Sequence, residues 1–232
     1  MPTAFRTLLN PTDETDPNFS NVSVLLHMDG SNGSTTFTDS SSNAFTMTAA
    51  GNAQISTTQS KFGGSSGYFD GNGDSVTASA NAAFSFGTGN FTIEGWFYSL
   101  TSGSTLRGMI DFRSVASGTN GLMLREDGSG FLVFLNTAIL LSTATGRTAN
   151  TWQHVALVRN GSTVTLYVDG TTRASATSSA NMTDNRFRLS GFVDAQDATF
   201  TYNGYMDDIR VTKGVARYTA NFTPPTAPFP DS

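Results

Sequence analysis

Apolar and polar positions alternate most strictly between Thr151 and Ala176. There Trp152-Gln-His-Val-Ala-Leu-Val-Arg159 is followed by Asn160-Gly161 and then by Ser162-Thr-Val-Thr-Leu-Tyr-Val168. Val164, Leu166 and Val168 share one face, and Thr163, Thr165 and Tyr167 share the other, as a period of two demands. Asn-Gly supplies the positive φ angles of a type I′ hairpin turn, and Asp169-Gly170 turns the chain again into Thr171 to Ala176. A three-stranded antiparallel meander is predicted. The same reading places further strands at Val22 to Met28, Ala44 to Ala49, Ser66 to Asp70, Phe91 to Tyr98, Leu106 to Arg113, Gly121 to Glu126, Gly130 to Asn136, Arg186 to Val193 and Gly204 to Thr212, with Gly- or Ser-rich punctuation between them. No stretch keeps a helical period for longer than about a turn, so the sheets must cover each other. The fold class expected is all-β: a two-sheet antiparallel sandwich of about a dozen strands.

The ends read differently. Residues 1–20 carry Pro2, Pro11 and Pro17 among Thr, Asp and Asn and are expected to form an extended arm. Residues 21–223 form the sandwich. Residues 224–232 carry Pro224, Pro225, Pro228 and Pro230, which cannot donate to a ladder, so an extended surface tail is expected.

Composition narrows the function. Only 13% of residues are charged, the net charge is −5 and cysteine is absent. No basic stripe is available to neutralise phosphates, so nucleic acid is not an expected partner, and anionic membrane is disfavoured for the same reason. No apolar run approaches the roughly 20 residues of a membrane span. Met1 to Asn10 holds no apolar core of signal-peptide length, so conventional secretion is not expected.

Four segments resemble the laminin G-like branch of the concanavalin A-like lectin and glucanase superfamily, across roughly Asn21 to Pro225. They are Val24-Leu-Leu-His-Met-Asp-Gly30 with Phe37-Thr-Asp-Ser-Ser41, then Phe91-Thr-Ile-Glu-Gly-Trp-Phe97, then the Trp152 to Gly170 meander, and finally Gly204-Tyr-Met-Asp-Asp-Ile-Arg-Val211. They follow one another in the family's order. The resemblance implies a jelly-roll sandwich. The closing Arg217-Tyr-Thr-Ala-Asn-Phe-Thr-Pro224 is similar to versions of this domain carried by tailed-phage structural proteins.

Members of that superfamily include glucanases, whose paired carboxylates form an E-x-D-x-x-E pattern on one strand. Retaining hydrolysis needs two carboxyl groups about 5–5.5 Å apart. The three glutamates here, Glu14, Glu94 and Glu126, fit no such spacing. No G-x-S-x-G elbow marks a nucleophilic serine, and His27 and His154 sit in strand patterns as structural residues. No enzyme is expected. The resemblance also implies a structural calcium where Asp29 and Asp39 meet Asp207 and Asp208; the alternative is that Asp29 and Asp39 make Asx turns and one of Asp207 and Asp208 ion-pairs with Arg210 or another base. Adjacent strand residues point to opposite faces, so only one of Asp207 and Asp208 should reach a given ion. For sugar recognition, Trp96, Tyr98, Trp152, Tyr167, Tyr202 and Tyr205 are the aromatic candidates. Trp96 and Trp152 match packed positions, whereas Tyr202 and Tyr205 are expected to be exposed and to bind ligand.

The function expected is a non-enzymatic virion component of a tailed phage, a capsid decoration, fibre or tail-associated adhesin released by lysis. It would dock to other virion proteins through the arm and display a lectin-like sandwich toward cell-surface glycan. Self-association fits the symmetric arrays of such particles. A secreted bacterial glycan-binding module is the alternative, and a glycoside hydrolase the third reading.

Overall fold

The computed structural model describes residues 15–101, 106–114, 120–135, 138–192 and 200–232. Among them, fifteen strands form two antiparallel sheets. The eight-stranded sheet runs in the order β13 (Thr171–Thr177), β12 (Thr163–Val168), β11 (Trp152–Asn160), β6 (Phe91–Ser99), β15 (Asn203–Lys213), β4 (Ser66–Asp70) and β3 (Gln54–Ser56), with β1 (Val22–Leu26) pairing the later half of β15. The seven-stranded sheet runs β10 (Ala138–Ser142), β9 (Gly130–Leu135), β8 (Leu122–Asp127), β7 (Arg107–Asp111), β14 (Phe187–Leu189), β5 (Ser75–Ala78) and β2 (Met47–Ala50).

The expected sandwich is what forms, because the alternation gives each strand one apolar face. On β6, Phe91, Ile93 and Phe97 enter the inter-sheet core, as do Val164, Leu166 and Val168 on β12 and Ile209 and Val211 on β15. At one end of this core, Phe84, Phe86, Phe91, Phe112 and Phe187 pack ring against ring, with neighbouring centroids 4.8–6.4 Å apart. Burying each such ring contributes roughly 1.5–3 kcal/mol.

Several local expectations are corrected. The hairpin after β11 is closed by Gly161 and Ser162, and only Gly161 has positive φ, at 60°. Asn160 instead ends the ladder opposite Thr163, so the turn carries the Gly-first signature of type II′. The doubly positive pair is Asp169 and Gly170, at 50° and 71°. The strand predicted from Arg186 to Val193 stops at Leu189, because Ser190 and Gly191 both adopt positive φ; Val193 lies outside the described residues. Ala44, at φ 47°, likewise delays β2 to Met47. Strands β3, β5 and β10, three to five residues long, fall outside the predicted segments.

The ends are docked onto the sandwich. Residues 1–14 lie outside the described residues, but Asp16 is buried and its amide donates to the carbonyl of Ser232 at 2.6 Å. The Pro-rich segment lies on the outer face of the eight-stranded sheet. Phe229 is buried there against Val22 and Leu25, with the Arg210 guanidinium 3.7 Å from its ring centre.

Candidate functional site

Alternation sends one side chain in two to the outer face of the eight-stranded sheet. Register then decides which of them meet. Tyr205 on β15 stands opposite Tyr68 on β4 and Tyr98 on β6, and Tyr98 stands opposite Trp152 on β11. The result is a row of four rings across four neighbouring strands. Strands are spaced by about 4.8 Å, so the row extends roughly 14 Å. Ring centres are 5.0 Å apart for Tyr68 and Tyr205, 5.8 Å for Tyr205 and Tyr98, and 5.5 Å for Tyr98 and Trp152, all tilted or edge-on. Tyr68, Tyr98 and Trp152 are half-buried and present ring surface to solvent, while the central Tyr205 is 8% exposed. Gln54 lies in register at the Tyr68 end. Burial raises the pKa of the Tyr68 and Tyr205 hydroxyls, so both stay protonated and able to donate. An apolar platform edged by polar groups is the surface chemistry that recognises a sugar.

A few residues further along β6 and β15, the same face is closed. Glu94 accepts from Arg210 at 2.8 Å and 3.0 Å and from the Tyr218 hydroxyl at 2.7 Å, with His154 Nε2 3.3 Å away. Asp16 joins Arg210 at 3.2 Å and Arg217 at 2.6 Å. Burial alone would raise the Glu94 pKa, but the Arg210 charge, His154 and the Tyr218 hydrogen bond bring it down to about 2. This cluster holds residues 214–232 against the sheet. It leaves Glu94 no proton to give and no access to a substrate.

Glu126 is equally removed from solvent but sits between the sheets, accepting from Ser99 at 3.0 Å. Burial pushes its pKa up to about 7 despite the Arg147 charge 3.8 Å away. The cavity it lines with Arg147 and Tyr202 has a volume of about 10 Å³, room for about one water molecule and not for a sugar ring.

The four aspartates expected around calcium do not make one cage. The Asp39 carboxylate accepts from the amides of Leu25, Ser41 and Phe45 and from the Ser41 hydroxyl, all at 2.9–3.0 Å, which is the Asx-turn alternative. Asp208 accepts from the Phe229 amide at 2.8 Å and contacts His27 Nδ1 at 2.6 Å. Asp207 accepts through Oδ2 from the amides of Lys61 and Phe62, at 2.7 and 3.1 Å, while its Oδ1 has no partner. Burial, with repulsion from Asp208 and Asp29, raises the Asp207 pKa to about 7. Asp29 is exposed beside Gly63. Among the described residues, no three His, Asp or Glu side chains converge as metal ligands. The opposite-faces rule for Asp207 and Asp208 also fails. A bulge between Asp207 and Arg210, with Asp208 at φ 50°, sets both carboxylates among outer-face partners.

The aromatic expectations are rearranged as well. Tyr202 is 0% exposed and packs on Phe97, inside the sandwich, so it cannot bind a ligand on the surface. Tyr205 keeps a place in a surface row, though as its most buried ring. Trp152, expected to pack, forms the open end of that row, and Trp96 lies on the same face under the Lys61 ammonium, 3.7 Å from its ring centre. Tyr68 was missed; period two within Ser66 to Asp70 already placed it on the polar, outward side.

A family model for the concanavalin A-like lectin/glucanases superfamily, Laminin_G_3, matches residues 70–217. The chain belongs to this superfamily. No curated protein sequence matches it. Among solved structures, this superfamily member resembles the binding domain of Paraclostridial Mosquitocidal Protein 1, with a TM-score of 0.66 and 13% identity over 85% of this chain and 50% of that one. It also resembles the botulinum neurotoxin serotype D binding domain, with a TM-score of 0.62 and 15% identity over 87% and 50% of the two chains. Domain 4 of AbnA, a GH43 extracellular arabinanase from Geobacillus stearothermophilus solved with arabinotriose, matches with a TM-score of 0.59 and 15% identity over 84% and 94%. The chain spans about half the length of the toxin binding domains it matches.

Proposed function

We propose that this chain is a non-catalytic glycan-binding module whose platform is the row Tyr68, Tyr205, Tyr98 and Trp152. The observation that carries this reading is the register: four rings meet on an outer sheet face, although they come from four strands far apart in sequence. Non-catalytic action fits the two strand glutamates, one locked by Arg210 and the other enclosed between the sheets. The solved relatives support it at the level of fold, and one of them is a domain bound to arabinotriose.

The test is titration of the full chain with neutral oligosaccharides, arabinotriose among them, by calorimetry. Trp152→Ala and Tyr98→Ala should each weaken binding at least tenfold and leave the melting temperature within a few degrees. Binding that survives both substitutions would rule the platform out.

Display on a tailed-phage particle belongs to the same proposal. Asp16 ties residues 15–20 to the sandwich, so anchorage to other virion proteins falls to residues 1–14. Deleting 1–14 should abolish incorporation into particles and spare glycan binding; normal incorporation would reject that anchor.

A further inference from the structure

The outer face of the seven-stranded sheet, on the far side of the sandwich from the aromatic row, holds a concavity of about 430 Å³. Its lining includes Thr77, Ser79, Arg113, Arg186 and Arg188 and, among the described residues, no carboxylate. Three guanidiniums are thus gathered in a chain whose net charge is −5.

Two of the three have capacity left. Arg113 is engaged by Asp111, through Nε at 2.9 Å and Nη2 at 2.8 Å, and this bidentate pair occupies both oxygens of the carboxylate in register with Arg188. Arg188 donates from Nε to the carbonyl of Ser190 at 3.0 Å, and among the described residues its terminal nitrogens make no hydrogen bond. Burial lowers its pKa, with the Asp111 charge opposing, so this cation stands in a poorer solvent than water. Arg186, two residues earlier and exposed, has no carboxylate partner among the described residues. Residues two apart along an extended chain project to one side, and Arg186 and Arg188 both line the concavity with Thr77, the partner of Arg188 in register.

Guanidinium forks match planar or tetrahedral oxyanions with two parallel hydrogen bonds. The volume lies within the range of small-ligand sites and exceeds what a bare ion fills, and Thr77 and Ser79 line it with hydroxyls. We propose that this concavity binds the oxyanion group of an acidic saccharide, a uronic carboxylate or a sulfate ester, between Arg186 and Arg188. The site goes beyond the glycan platform of the opposite sheet and stands or falls separately from it.

The experiment titrates the full chain, at constant ionic strength, with a glucuronate-containing disaccharide, with its neutral glucose counterpart and with sodium sulfate, followed by calorimetry and amide chemical shifts. The uronide should bind at least tenfold more tightly than the neutral sugar, and sulfate should displace it. Arg188→Gln should weaken uronide binding at least tenfold and the exposed Arg186→Gln three- to tenfold, whereas Trp152→Ala should leave it unchanged. Equal binding of the acidic and neutral sugars, failure of sulfate to compete, or full affinity in Arg186→Gln would overturn the proposal. Neutral oligosaccharide binding lost only in Trp152→Ala would still support the platform on the other face.

Discussion

Strands β6 and β15 pass through two very different surfaces. At Glu94 and Arg210 they lie under residues 214–232, and every charge there is matched by another within hydrogen-bond reach. At Tyr98 and Tyr205, four and five residues away, the same strands end in rings that none of the covering segment's described contacts touch. The difference lies in the covering and not in the strands. A charge moved from water into protein requires partners, and the covering segment supplies Arg217, Tyr218 and the Phe229 ring. Aromatic rings need no partner and can remain half-exposed at little cost, which leaves them free to receive a ligand. Paired charges therefore mark the covered half of this face, and half-exposed rings the half proposed to bind glycan.

The sharpest way to break this comparison is to remove one member of the covered cluster. Glu94→Ala leaves Arg210 with Asp16 as its one remaining carboxylate among the described residues and takes away the acceptor of the Tyr218 hydroxyl. Deleting one partner of a buried pair costs about 3–5 kcal/mol, because the remaining charge stays buried. Urea denaturation should register a loss of that size, with sugar binding by whatever folded protein remains intact. The pH dependence has a definite sign. With a folded pKa of about 2, below the usual carboxylate value, Glu94 contributes stability that is present above about pH 4.5 and lost as pH falls toward 2. The wild type should show that acid limb and Glu94→Ala should lack it.

How much of this could be read from the chain depended on distance along it. The meander from Trp152 to Thr177 was legible because each face declares itself within seven residues. The outward position of Tyr68 and the inward one of Tyr202 were legible too, since Tyr202, Gly204 and Met206 alternate with Asn203, Tyr205 and Asp207. The aromatic row as a row was not legible, because it depends on the pairing of β4, β15, β6 and β11. The fates of Asp207 and Asp208 were hidden by a bulge, where period two stops applying. The docking of the Pro-rich tail rests on contacts from Phe229 and Asp231 to residues some 20 to 200 positions earlier.

Asp207 offers a milder test at the border between the two surfaces. Its carboxylate is buried with one orphaned oxygen, and its folded pKa of about 7 lies above the unfolded value. The native state thus holds that proton more tightly, and stability falls as pH rises from about 4 through 7. Asp207→Asn keeps an oxygen for the Lys61 and Phe62 amides and removes the charge. The variant should be more stable than wild type by about 1–3 kcal/mol at pH 8, with the gain fading below pH 4. A loss of stability at pH 8 would show that the ionised form is wanted there, as it would be if a cation bound to it.

The smallest effect concerns the tip of the tail, which extends the covering closest to solvent. His27 bridges Asp208 at 2.6 Å and Asp231 at 2.7 Å. Burial alone would lower its pKa, but hydrogen bonds to the two carboxylates raise it to about 9. A raised histidine contributes stability that is complete below about pH 6.5 and disappears as pH rises through 9. Asp231 is largely exposed, so solvent screening keeps the contribution to about 1 kcal/mol. Amide exchange at Phe229, whose N–H donates to Asp208, is the local reporter. After correction for intrinsic rates, its protection should drop between pH 8 and 10 in wild type and be already reduced at pH 7 in His27→Gln. If the aromatic row is independent of the covering, oligosaccharide affinity at pH 7 should be the same in both proteins. A parallel loss of affinity would mean that the two surfaces, set apart above by what covers them, are coupled through β15.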